Sequence, residues 1–126
     1  LLHTISHCLV GTAKRHTGYD DKSISEYLLP MNMSILLYVS SVQNYTSGGL
    51  RMLFEHYLRQ WMDDACNYAF SCAFDPICSD KGSTCSGCVQ IILGCETFNH
   101  GLSRCYIHGG ELEEEAQLQL QTGFWG

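Results

Sequence analysis

Five of the eight cysteines lie between Cys72 and Cys95, spaced Cys72-x5-Cys78-x6-Cys85-x2-Cys88-x6-Cys95. Thiols at this density suit either disulfides or a metal. Secreted disulfide scaffolds spread their cysteines along the whole chain, whereas these are concentrated, with Cys85-Ser-Gly-Cys88 at their centre. A C-x-x-C turn presents two thiolates from one tight loop, close to the separation that tetrahedral zinc requires with Zn–S bonds of about 2.3 Å. One structural zinc ion is therefore expected. Five cysteines compete for four places: Cys78, Cys85, Cys88 and Cys95 are the expected set, Cys72 is the alternative ligand, and His100 is a weaker rival. A closed set leaves no open coordination position, so the ion would brace the fold, at a binding free energy on the order of 10 kcal/mol.

Other residues with chemical potential are sparser. His3 and His7 fall four apart on a helical pattern, where they could hold a second metal or, with Glu26 or Asp75, form a hydrolytic or second-metal site. Buried histidines more often satisfy hydrogen bonds. Cys8, Cys66 and Cys105 lie on apolar helical faces and read as buried thiols. A thioredoxin-like role for Cys85 and Cys88 would leave the neighbouring cysteines without purpose. Asp75-Pro76 reads as a loop-fixing turn rather than an acid/base pair with Glu96. No G-x-x-x-x-G-K-[ST], G-x-S-x-G or H-E-x-x-H pattern occurs, so no motif supports an enzyme.

The elements that position these groups follow from periodicity. Leu1 to about Thr17 carries Leu1, Leu2, Ile5, Cys8, Leu9 and Thr12 at helical spacing, and Gly18-Tyr-Asp-Asp ends it as a turn. Ser23-Ile-Ser-Glu26 matches a capping box and predicts a short helix ending before Pro30. The apolar run within Ser34 to Val42 predicts a strand buried on both faces. Its partner is expected in Gln117 to Thr122, another short segment or a different chain. Gln43 to Ser47 reads as a polar turn with Ser47 as N-cap. A single long core helix is then predicted from Leu50 to Ala69, its stripe running Leu50, Leu53, Phe54, Tyr57, Leu58, Trp61, Met62, Ala65, Tyr68 and Ala69. Glu96 to His108 predicts a last helix with Phe98, Leu102 and Cys105 or Tyr106 inward. Glu111 to Gly126 is acidic, then Gln/Leu-rich, and predicts a fraying or docking tail.

These elements amount to one small, helix-rich α+β domain with a buried strand region and a C-terminal four-cysteine zinc knuckle. The domain covers residues 1–110, the knuckle 72–105 and the tail 111–126. At 126 residues the core is modest, and charged residues at 16% are scarce enough to suggest a surface partly covered by other domains or subunits. A net charge of -6 with only seven Lys and Arg argues against a free-standing nucleic-acid binder. No secretory leader pattern is legible at Leu1, and the chain does not begin with Met, so whether it is a piece of a longer protein stays open. The longest apolar stretch, Ile35 to Val39, is too short to span a bilayer. Cysteines that hold metal fit a reducing cytoplasm.

Several segments occur in a recognisable order: Leu1-Leu-His-Thr-Ile-Ser-His7, Ser25-Glu26, Leu37-Tyr38, Ser47-Gly-Gly-Leu50, Cys72-Ala-Phe-Asp-Pro-Ile-Cys78, Cys85-Ser-Gly-Cys88, Cys95-Glu-Thr-Phe-Asn99 and Leu102-Ser-Arg104. Together they resemble the MrfA-type zinc-binding domain. That domain lies at the C-terminal end of mitomycin-repair-type DNA helicases, with a related copy in the helicase-associated second subunit of DISARM phage-defence systems. The likeness covers roughly residues 1–110 and is most specific in the cysteine segment. It implies a cytoplasmic zinc-stabilised accessory domain in DNA repair or antiviral defence, docked by protein–protein interaction to a helicase core or other subunit and reaching DNA only through that assembly. By the same resemblance Cys78, Cys85, Cys88 and Cys95 match the family's ligands, and Asn99 and Arg104 its closing pattern. Val89 to Gly94 and Ser103 depart from the family pattern, and the helicase motor is missing, so ATPase activity is not assigned to this chain. Two alternatives remain: a metal-dependent hydrolase using His3 and His7, and a direct nucleic-acid-binding zinc module contacting through Lys81, Arg104 and Tyr106.

Overall fold

The computed structural model describes residues 1–20, 22–40, 48–112 and 119–125. Helix α1 spans Leu2–Thr17, strands β1 and β2 span Ile24–Leu29 and Ser34–Val39, and helices α2 and α3 span Gly49–His56 and Leu58–Phe70. Two short helices, α4 (Ile77–Asp80) and α5 (Cys105–His108), flank the knuckle loops, and two-residue strands β3 (Gly110–Glu111) and β4 (Gln119–Leu120) follow. The α+β class and the four-cysteine knuckle are as the sequence predicts.

α1 is the element around which the rest assembles. Gly18 closes it in the left-handed region (φ 71°), its N–H donating to the Lys14 carbonyl at 2.9 Å, a conformation glycine reaches without a Cβ penalty. One side of α1 packs on α3, where the fully buried Ala65 and Ala69 let the two backbones approach, and Gly11 leaves room for the Tyr68 ring. Cys8, Ala65, Ala69, Cys78, Cys88, Val89, Leu102 and Ile107 form one core beneath the knuckle. A second core gathers Val10, Ala13, Tyr19, Ile24, Leu53, Trp61 and Ile91. The Trp61 indole N–H donates to the Leu9 carbonyl and to Thr12 Oγ1, both at 3.1 Å, so the large ring is buried without orphaning its polar edge.

Several expectations change. Ser23 to Glu26 does not open a helix. The segment becomes β1, paired antiparallel with β2 from Ile24↔Val39 to Leu29↔Ser34, and Pro30–Asn32 forms the connecting turn. The local capping preference loses to pairing with a strongly apolar neighbour. β1 is thus the partner that β2 required, and β2 alternates half-buried and exposed residues instead of being buried on both faces. The long helix is two helices broken at Tyr57, and Phe54, Tyr57 and Leu58 of its apolar stripe stand exposed. Ser47 and the Gln43 turn lie outside the described residues, as does the acidic stretch 113–118.

Glu96 to His108 is mostly turns. Only Cys105–His108 is helical; Leu102 and Cys105 are buried as expected, but Phe98 is 84% exposed. The described end of the tail is not frayed. The N–H groups of Phe124 and Trp125 donate to the Tyr106 and Ile107 carbonyls at 2.9 and 3.0 Å, and Trp125 packs on the core. Gly123 passes so close to Ile107 that a Cβ there would overlap its backbone. No helix among the described residues is long and apolar enough to cross a membrane.

Candidate metal centre

Sulfur atoms of Cys72, Cys78, Cys85 and Cys88 all lie within 4.8 Å of one another. Cys72–Cys85, Cys78–Cys88 and Cys85–Cys88 are 3.5, 3.7 and 3.6 Å apart, and all eight cysteines are free thiols. A tetrahedron of Zn–S bonds of about 2.3 Å has S–S edges of roughly 3.8 Å, so these gaps are those of four sulfurs around one ion. Three of the four ligands read from spacing therefore meet. Cys95 does not join them; Cys72, the alternative, supplies the fourth corner. His100 is in neither of the two clusters of metal-binding side chains among the described residues.

The local chain explains the choice. Cys72 ends the run out of α3 and Cys78 begins the next turn in α4, so the Ala73–Ile77 loop brings both to one side. Asp75 braces that loop. Its carboxylate accepts from the Cys72 N–H at 2.8 Å, the Ser79 hydroxyl at 2.7 Å and the buried Arg104 guanidinium at 2.7 Å. The Ser79 hydroxyl, the Cys72 N–H and Arg104 together outweigh partial desolvation and hold the carboxyl down at about 2. The loop-fixing reading of Asp75 thus stands. Arg104 is occupied inside the fold, so it is not available as the nucleic-acid contact that the sequence offered. Cys85-Ser-Gly-Cys88 is a tight turn in which the Cys88 N–H donates to the Cys85 carbonyl and Tyr68 Oη donates to the Cys88 carbonyl at 2.6 Å.

Backbone N–H groups also aim at sulfur: Gly87 at Cys85 (3.3 Å) and Phe74 at Cys72 (3.4 Å). Burial alone would raise the Cys85 pKa, but the Gly87 N–H and the three neighbouring thiols reverse this and lower it. Burial pushes the Cys78 thiol well up and the Cys88 thiol up to about 11. Four sulfurs this close would repel one another as thiolates, and a metal ion among them is the arrangement that would stabilise all four.

Cys8 is fully buried with its thiol pushed up to about 12 by desolvation, as a packing thiol should be. Cys105 is also buried, its thiol donating to the Glu111 carbonyl at 3.3 Å, whereas Cys66 is only half-buried. Cys95 instead joins His3, His7 and Glu26, whose ligand atoms also lie within 4.8 Å of one another. Spacing alone could not find this second group, because its members come from α1, β1 and a distant loop. The i,i+4 spacing of the histidines is the signal in the sequence, from which Glu26 is expected beside them and Cys95 in the knuckle instead.

No family model, curated protein or solved structure matches the chain.

Proposed function

We propose that the chain is a non-catalytic zinc-binding accessory module, in which one zinc ion held by Cys72, Cys78, Cys85 and Cys88 braces a surface that docks on another protein. The convergence of four sulfurs at tetrahedral spacing carries this reading. Four thiolates favour a borderline-soft, redox-inert ion, and four protein ligands leave it no position for substrate. The resemblance of the cysteine segment to the MrfA-type domain makes the partner a DNA helicase core or defence subunit.

Docking is supported by an apolar face away from the zinc loops. The β1–β2 hairpin, α2 and the start of α3 expose Leu36, Phe54 and Leu58, and Met31 at the hairpin turn is 96% exposed. Ile35, Leu37, Leu50, Trp61 and Met62 continue this surface as a groove between hairpin and helices. Contiguous apolar exposure of this kind marks interaction sites. The hydrolase reading required His3, His7 and an acid in an open pocket. Asp75 is committed to Arg104, and His7 and Glu26 are fully enclosed, which leaves no room for substrate.

The test is metal content of the reduced chain by native mass spectrometry, followed by chelation. Zinc bound through the four cysteines, with loss of the fold on EDTA treatment, is the expected result. A metal-free, fully folded chain would overturn the module. The partner class is tested by recovery of the tagged chain from its source cells. A helicase-type motor should co-purify with wild type and be lost with Phe54→Glu.

A further inference from the structure

We propose a second, independent metal site, in which a zinc-class divalent cation is bound by His3 Nε2, His7 Nε2, Glu26 Oε1 and Cys95 Sγ. The four atoms converge from three parts of the fold. His3 and His7 project from the first turns of α1, one helical turn apart, with rings 4.4 Å between centroids. Glu26 comes from β1, and Cys95 from the loop after the knuckle. His3 Nε2 lies 3.0 Å from Glu26 Oε1 and 3.2 Å from Cys95 Sγ, and His7 Nε2 lies 3.1 Å from the same carboxylate oxygen. Bonds of about 2.0 Å to nitrogen or oxygen and about 2.3 Å to sulfur give ligand–ligand edges of roughly 3.3–3.8 Å, so a small expansion admits the ion.

Hydrogen bonding alone serves this group poorly. His7 Nδ1 faces the Val89 carbonyl, which can only accept, so Nδ1 carries a proton. In a neutral ring Nε2 then presents its lone pair to the Glu26 carboxylate. That lone pair and Glu26 Oε1 face each other at 3.1 Å, an arrangement that a cation between them resolves. His3 Nε2 lies within reach of both Glu26 Oε1 and Cys95 Sγ, and one N–H cannot point well at both. Glu26 Oε2 is buried as well, with the buried Ser6 hydroxyl near the carboxylate but no hydrogen bond of good geometry to Oε2 among the described residues. A cation at the common centre satisfies all four groups.

The surroundings are those of a metal site. A histidine whose distal N–H is held by a backbone carbonyl has its tautomer and ring orientation set for ligation. Cys95 Sγ accepts the Asn99 backbone N–H at 3.1 Å, as the knuckle sulfurs accept theirs. Asn99 is itself clamped by its side-chain amide, which donates to the Ile91 carbonyl at 2.8 Å and accepts the Ile91 N–H at 2.9 Å. The Glu26 N–H donates to the Gly94 carbonyl at 3.1 Å, which holds Cys95 beside the strand that carries the carboxylate. Four protein ligands again close the coordination sphere, so the ion would tie α1 to the hairpin.

The decisive experiment is cadmium-113 NMR of the wild-type chain loaded with the metal alone. Two resonances are expected, one at the far downfield position of four sulfurs and one well upfield, where a single sulfur with nitrogen and oxygen donors resonates. Zinc counts then assign the second ion. Cys95→Ser and His3→Gln should each lose one of two zinc ions and keep the knuckle resonance, whereas Cys72→Ser should lose the downfield one. Only the four-sulfur resonance would overturn this site and leave the knuckle intact. Only the upfield resonance would do the reverse. Two resonances in wild type, both unchanged by Cys95→Ser and His3→Gln, would also overturn the assignment, by placing the second ion elsewhere.

Discussion

Cys88 and Cys8 are both buried, yet they are expected to respond differently to the same substitution. Cys88 lies 3.7 and 3.6 Å from two sulfurs of the knuckle, whereas Cys8 packs among apolar side chains with its thiol held protonated. Cys88→Ser should abolish binding at the knuckle and unfold the loops around it, because the binding free energy of such an ion, on the order of 10 kcal/mol, is also folding free energy. Cys8→Ser places a hydroxyl in an apolar core, should cost about 1–3 kcal/mol, and should leave zinc content unchanged. Zinc counts on the two purified variants check the pair; equal zinc loss in both would remove Cys88 from the ligand set. His7 and Glu26 differ from these thiols in kind. They are buried polar groups whose partners are one another, and their arrangement has meaning only as a set.

At the scale of elements, the contact between β1 and the loop before Cys95 decides which cysteine goes where. Gly94 sits at φ 91°, in the left-handed region, with its carbonyl accepting the Glu26 N–H. A Cβ at this position would meet Ser25 Oγ at 2.7 Å and the Ile24 carbonyl at 2.8 Å. Side chains other than glycine are strained in this conformation, and the strand backbone cannot yield. Gly94→Ala should therefore destabilise the fold by about 2 kcal/mol or more in urea unfolding, with the knuckle metal retained. The Leu28 N–H, which donates to Glu96 at 3.0 Å, marks the same seam one step further along β1. A fully wild-type unfolding midpoint for Gly94→Ala would mean that this seam does not hold the loop in place.

For the whole molecule, metal and proton compete. With burial raising both Cys78 and Cys88, the folded, metal-free chain holds protons on these two thiols at neutral pH. An entering ion must expel them. At least two protons should then be released per knuckle ion, and apparent affinity should fall roughly a hundredfold for each pH unit of acidification near neutrality. Chelator competition at two pH values measures this slope, and a pH-independent affinity would contradict the thiol chemistry assigned to the knuckle. The apolar hairpin and α2 face belongs to this scale too. In a chain with only 16% charged residues, that exposure is the surface feature that most calls for a partner.

The sequence by itself determined the chemistry and the most regular local structure. Cysteine density and one C-x-x-C turn are local facts, and they sufficed for a cluster of sulfurs that could hold a metal and that includes Cys78, Cys85 and Cys88. The apolar periodicity of residues 1–17, followed by Gly18, sufficed for α1 and its end. Only the tertiary structure decided the rest. Ser23 to Glu26 carries a capping pattern, but pairing with β2 outweighs it and makes Ser23–Glu26 the entry to a strand. Cys72 rather than Cys95 completes the knuckle, because Asp75 and Arg104 fold the 72–78 loop inward while Gly94 ties Cys95 to β1. Local spacing measures reach along the chain, and both decisions depend on contacts between residues far apart in it.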